Sequence, residues 1–164
     1  MRRYKVVSAV AAGCMLAATA ACSLESNQER AERLATQGLR PEVSRIRAVV
    51  KGVLRTAWTS GDVSNRQLTS AMELHFGRFD KPRSGGMGIF AMHFSPAGSV
   101  GTDIVIESQS SDSGFNAAQA AVAACVRFSG APGPDPAVDI HDVACPSTVA
   151  ATNVRILKVA DQSQ

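Results

Sequence analysis

Gly88-Ile89-Phe90-Ala91-Met92-His93-Phe94-Ser95-Pro96-Ala97-Gly98-Ser99-Val100-Gly101-Thr102-Asp103-Ile104-Val105-Ile106-Glu107 is the stretch that decides the fold. Phe90, Met92 and Phe94 recur at every second residue, and Thr102, Ile104 and Ile106 do the same beyond Ser99. A period of two is that of a strand with one buried face. Ser95 to Ser99 holds the turn formers serine, proline and glycine, so the two runs are expected to pair as an antiparallel hairpin.

Upstream, Val43, Ile46, Val50, Val53, Leu54 and Ala57 fall at helical spacing. They predict an amphipathic helix over 41–59, with Pro41 as its first residue and Ser60-Gly61-Asp62 as its end. Trp58, the single tryptophan, lies in the last turn. Gln67 to Phe79 supports two readings. Ser64 with Gln67 resembles a capping box and Gly77 a helix stop, whereas Leu68, Ser70, Met72, Leu74 and Phe76 alternate as in a strand. We expect a strand over at least 71–79.

Downstream, Ser108 to Gly114 is a serine-rich connection. Ser113 is expected to cap a second helix over 115–126, burying Phe115, Ala118, Val122 and Cys125. Gly130 to Pro136 reads as a loop and Val154 to Val159 as a closing strand. The order predicts an α+β fold: a small two-layer sandwich of an antiparallel sheet and two packed helices, in one domain over 41–160. Residues 161–164 are expected to be a frayed tail.

At the N-terminus, Arg2, Arg3 and Lys5 precede Val6 to Ala18, which carries no charge, and then Thr19-Ala20-Ala21-Cys22. A basic start, a short apolar run and a small-residue cleavage site make a secretory leader. The run is shorter than the ~20 apolar residues of a membrane span. With cysteine directly after the small residues, residues 1–23 resemble the leader of bacterial lipoproteins. Thr19 stands where that pattern prefers leucine, and Cys14 is a second candidate with a shorter apolar run before it.

The resemblance implies that residues 1–21 are removed. It also implies that the Cys22 thiol receives a diacylglyceryl group, that fatty acids such as palmitate anchor the chain, and that the protein faces outward from the cell membrane. Each buried methylene contributes ~0.8 kcal/mol, and a second chain makes the attachment stable. The resemblance covers none of the body, for which no family is recognised. Polar Ser23 to Arg40 is expected, with Cys22, to be a flexible tether over 22–40.

Removal of the leader takes Arg2, Arg3 and Lys5 with it, leaving 14 cations against 14 acids. The basic balance of the whole chain is therefore no argument for a nucleic-acid partner. About 143 residues remain, enough for one domain with its own core. Cys125 and Cys145 are then an even pair outside the cytoplasm, expected as a disulfide contributing ~3 kcal/mol.

His75, His93 and His141, with Met72, Met87 and Met92, suggest soft-metal ligands. A strand over 71–79 would set His75 and His93 roughly 16 Å apart, whereas a helix over 65–76 would put Met72 and His75 on one face; no metal site is expected. Asp135, Asp139, His141 and Asp142 lack the spacing of a calcium loop and read as a solvated loop. Ser84 to Gly88 reads as a flexible turn. There is no nucleophile elbow, zinc-protease helix, phosphate loop or dinucleotide fingerprint, so no catalytic residue and no cofactor is assigned.

Arg40, Arg47, Lys51 and Arg55, with Arg45 nearby, form a basic stripe on the helix opposite its apolar face. Arg47, Lys51 and Arg55 are candidate contacts to anionic headgroups or acidic wall polymers, at ~1 kcal/mol per cation. The alternative is a solvated face balanced by acids elsewhere. Together these readings point to a membrane-anchored, extracytoplasmic lipoprotein whose domain is a non-catalytic binding or accessory module for an envelope protein or wall polymer. The alternative is a small envelope enzyme whose site assembles only in three dimensions, which a deep polar pocket would favour.

Overall fold

A computed structural model describes residues 26–82, 86–112, 117–150 and 154–159. The leader with Cys14 and Cys22, residues 83–85 of the glycine-rich turn, Ser113, Phe115 and the tail 161–164 lie outside the described residues.

The first helix, α1, spans Asn27–Ser60, 34 residues. It therefore includes most of the segment expected to be a tether. Ser26 caps it reciprocally with Glu29. The Glu29 N–H donates to Ser26 Oγ at 3.2 Å, and the Ser26 N–H donates to Glu29 Oε2 at 2.9 Å. Ala31, Ala35 and Leu39 are buried in line with Val43, Ile46, Val50, Val53, Leu54 and Ala57. One apolar stripe thus runs the whole helix. Pro41 sits inside it, although a proline removes one intrahelical bond and costs ~3 kcal/mol. Gln37, whose carbonyl loses its donor, is exposed, so water can serve that carbonyl. Packing of Leu39 and Val43 on either side holds the helix together across the proline. Gly61 ends it at φ 71°, in the left-handed conformation glycine accepts freely.

The second helix, α2, spans Asn65–Phe76. The expected strand over 71–79 is thereby corrected; only Gly77–Arg78 is extended, as β1. Ser64 caps α2 by accepting from the Gln67 N–H at 3.3 Å. Leu68, Met72 and Phe76 are buried, whereas Leu74 is 62 % exposed. Residues four apart share a face in a helix and in a strand, so Leu68, Met72 and Phe76 fit both patterns. Exposed Leu74 fits only the helix.

Six more strands follow: β2 (Lys81–Pro82), β3 (Met87–Phe94), β4 (Val100–Asp112), β5 (Ala118–Gly130), β6 (Asp139–Asp142) and β7 (Arg155–Ile156), with a short helix α3 (Ser147–Ala150) before β7. The strand order is β2-β1-β3-β4-β5-β6, and β7 also pairs with β5. The hairpin read from Gly88 to Glu107 is present, with Phe94 opposite Val100 and Met87 opposite Ile106. The sheet is mixed rather than purely antiparallel, because β1 runs parallel to β3 and β7 parallel to β5.

The expected helix over 115–126 is instead β5, paired with β4 from Val100 opposite Gly130 to Asp112 opposite Ala118. Its alanines favour a helix locally. Its alternate residues decide otherwise. Val122, Ala124, Val126 and Phe128 enter the core beneath the helices, while Ala123 and Cys125 pack on the opposite face. A strand buried on both faces needs no polar alternation. The cluster Asp135, Asp139, His141 and Asp142, expected as a solvated loop, is partly strand, since Asp139, His141 and Asp142 lie in β6.

The result is a small two-layer α+β fold, with α1 and α2 on one sheet face and α3 on the other. The ends of β4 and β5 project past β3 and carry Ser108, Ser110 and Ala120 toward the first half of α1. Small side chains allow a close approach there: Ser110 Oγ donates to the Ala31 carbonyl at 2.6 Å. A Cβ on Gly38 would lie 2.7 Å from Ser108 Oγ. Among the described residues no helix is long and apolar enough to cross a membrane.

Candidate functional site

An apolar recess opens between α1 and α2, lined by residues of these two helices alone. Val49, Gly52, Val53, Thr56, Ala57 and Ser60 of α1 face Gln67, Leu68, Ala71 and His75 of α2 across a cavity of about 360 Å³. That lies within the ~300–1,000 Å³ of small-molecule sites. Ser60 and Gln67 adjoin the turn that joins the helices, and Val49 and His75 are farthest from it along the chain. No carboxylate, lysine or arginine lines the recess; the one titratable side chain is His75.

Gly52 is the unexpected member of this wall. A glycine inside a helix costs ~1 kcal/mol relative to alanine. Nothing lies within 4 Å of where its Cβ would be, so close packing does not require the missing side chain. Its effect is to keep the slot open. Gly38, fourteen positions earlier in the same helix, differs because Ser108 fills the space beside it.

A second cluster lies on the opposite sheet face. Asp103 on β4 stands opposite Arg127 on β5, and His93 reaches over from β3. Arg127 donates from Nε to Asp103 Oδ1 at 2.6 Å and from Nη2 to Oδ2 at 2.8 Å. His93 Nε2 lies 2.8 Å from Asp103 Oδ2 and 2.8 Å from Arg127 Nη2. Gly101 leaves room for both side chains to cross it. Burial pushes the Asp103 carboxyl up, but hydrogen bonds from Arg127 and His93, with their charges, outweigh it and hold the group below its ordinary range. The same contact raises Arg127.

A histidine beside an aspartate suggests proton transfer. Here the guanidinium already neutralises the carboxylate, and His93 has no hydroxyl or thiol partner among the described residues. The arrangement cross-links three strands.

The sequence-predicted residues are dispersed. Cys125 on β5 and Cys145 before α3 are joined, with a Cα separation of 5.3 Å. His75 is on α2, His93 on β3, and His141 on β6 opposite Arg127; the three do not converge. Met72 and Met87 are core residues.

On the basic flank, Asp135 accepts Lys51 Nζ at 2.8 Å and Arg55 Nη2 at 3.1 Å, and Arg55 Nε donates to the Pro134 carbonyl at 3.2 Å. The two cations hold Asp135 below its ordinary range. Arg47 is exposed farther along the same flank. Arg45 turns the other way and pairs with Glu42 at 2.6 Å. The loop after β5 thus supplies an acid to a stripe that looked uncompensated in one dimension.

The recess was not anticipated from sequence. Its one local signal is Gly52 in the middle of a strong helical pattern, which propensity disfavours. Comparison with family models, curated proteins and solved structures finds no match for this chain.

Proposed function

We propose that this chain is a membrane-anchored, extracytoplasmic lipoprotein whose domain is a non-catalytic binding or accessory module of the cell envelope. The observation that carries the binding half of this reading is the apolar recess between α1 and α2, with no acid–base pair inside it. A binding site is mostly apolar with a few polar groups at its rim. An enzyme needs a reactive group with a partner within hydrogen-bond reach. The leader that ends at Cys22 supports the anchor. The paired Cys125 and Cys145 suit an oxidising compartment. The exposed Arg47, with Lys51 and Arg55, remains a secondary contact surface for anionic headgroups or wall polymer, weakened by Asp135.

The test is to express the full chain in a bacterium that processes lipoproteins, with a clickable fatty-acid label and a photo-crosslinking residue at position 56 or 119. Wild type should take up label and fractionate with membranes; Cys22→Ala should do neither. Crosslinks should form from position 56, in the recess, and not from position 119 on the exposed sheet tip. Unchanged mass and membrane attachment in Cys22→Ala refutes the anchor. Equal crosslinking from both positions refutes the recess as the binding surface.

A further inference from the structure

We propose that the slot between α1 and α2 takes the hydrocarbon chain of a single-chain amphiphile, with its polar head at the His75 end. This rests on the recess being the binding surface, and it names the ligand class. Three observations select a hydrocarbon chain. First, the walls are short aliphatic groups, Val49, Val53, Ala57, Leu68 and Ala71, with no charged group among them. Such a surface offers contact area and no hydrogen bonds, so it rewards methylenes and rejects a polar body. Second, the slot is too small to enclose a bulkier guest. Two turns of a helix ~10 Å across occupy about 850 Å³, more than twice the roughly 360 Å³ available. Third, the slot continues past Gly52, where a side chain would interrupt it and where no neighbour requires its absence.

The polar groups are confined to the two ends. Ser60 Oγ already donates to the Ala57 carbonyl at 3.1 Å, which leaves that end modest in hydrogen-bonding capacity. His75 at the other end is exposed and can donate to a carboxylate or phosphate oxygen. An amphiphile with one acidic head therefore fits in one direction.

The experiment uses the full chain reconstituted in phosphatidylcholine nanodiscs, with a diazirine-bearing palmitic acid as the probe. Adducts should map to the peptides containing Val49–Ser60 and Gln67–His75. Gly52→Leu projects into the slot from a Cβ position with nothing within 4 Å and favours the helix, so it should keep its melting temperature while cutting the adducts at least tenfold. Competition by saturated fatty acids of increasing length should strengthen about fourfold per methylene and then level off when the slot is full. His75→Ala should weaken the fatty acids more than the matched alcohols.

Adducts that survive Gly52→Leu, or competition independent of chain length, would overturn the proposal. A probe that labels nothing, while position 56 still crosslinks to a protein, would overturn the amphiphile and leave the recess as a binding surface. Loss of crosslinking at position 56 as well would overturn both.

Discussion

Leu39→Ala separates a docked helix from a tether. Leu39 is fully buried, two residues before Pro41, in the half of α1 that polar composition assigned to a flexible linker. If that half packs as described, the substitution removes a complete side chain from the helix–sheet interface. Leucine to alanine in a packed core costs roughly 2–5 kcal/mol, and ~3 kcal/mol suits a site lined partly by small side chains that can settle toward the gap. For a folded body of roughly 120 residues at ~2.1 cal/mol/K each, the unfolding entropy is ~0.25 kcal/mol/K, so the melting temperature should fall by ~12 °C.

Leu34→Ala is the internal control. Leu34 is 40 % exposed on the same segment, and its loss should cost less than ~1 kcal/mol. Thermal unfolding of the full chain followed by circular dichroism reads both. A Leu39→Ala shift no larger than that of Leu34→Ala refutes the docked helix and restores the tether.

Three further outcomes follow from particular contacts. Replacing Cys125 and Cys145 with alanine opens a loop of sequence separation 20, which should lower stability by about 3 kcal/mol in urea titrations; a loss below ~1 kcal/mol would mean the loop is held by its packing. Asp103 has a depressed folded-state pKa, so its contribution is complete above the ordinary carboxylate range, near ~4, and disappears as pH falls through the lower folded value. Asp103→Asn should therefore cost ~2 kcal/mol at neutral pH and flatten the acid side of the stability profile, whereas an unchanged acid slope would assign that slope to other carboxylates. The Thr102 hydroxyl is fully buried with no hydrogen-bond partner among the described residues, so Thr102→Val should raise stability by ~1 kcal/mol; a loss would reveal a partner for it.

The parts of the fold that were legible in sequence are those where one face is buried and the other is wet. The hairpin from Gly88 to Glu107 and the second half of α1 both show their own period. The first half of α1 did not, because its buried stripe is Ala31, Ala35 and Leu39, and the sheet meets it with serines. Burial by close approach leaves little hydrophobic contrast for a sequence to display. The Ser26-x-x-Glu29 pair was the available signal.

In β5 the difficulty was reversed. Burial on both faces erased the alternation, and alanine supplied a misleading helical preference. The recess leaves no one-dimensional signature for a third reason: it is built from residues on two helices, and the alternation in one of them also fits a strand. Likewise Asp135 meets Lys51 and Arg55 only because the loop after β5 folds back along α1.

The early start of α1 bears on how an anchored domain would stand. With Cys22 acylated, as proposed, only Ser23 to Ser26 separate the lipid from Asn27. Four residues of any conformation reach at most about 14 Å, whereas 34 helical residues span ~51 Å. Such a connection is short beside the helix, which is an arm fastened to the sheet. The height of the recess above the bilayer is then set by the tilt of that arm. Residues 49–60 occupy its outer third, so an upright domain would hold the slot several nanometres from the lipid, and one lying flat could bring it to the headgroups.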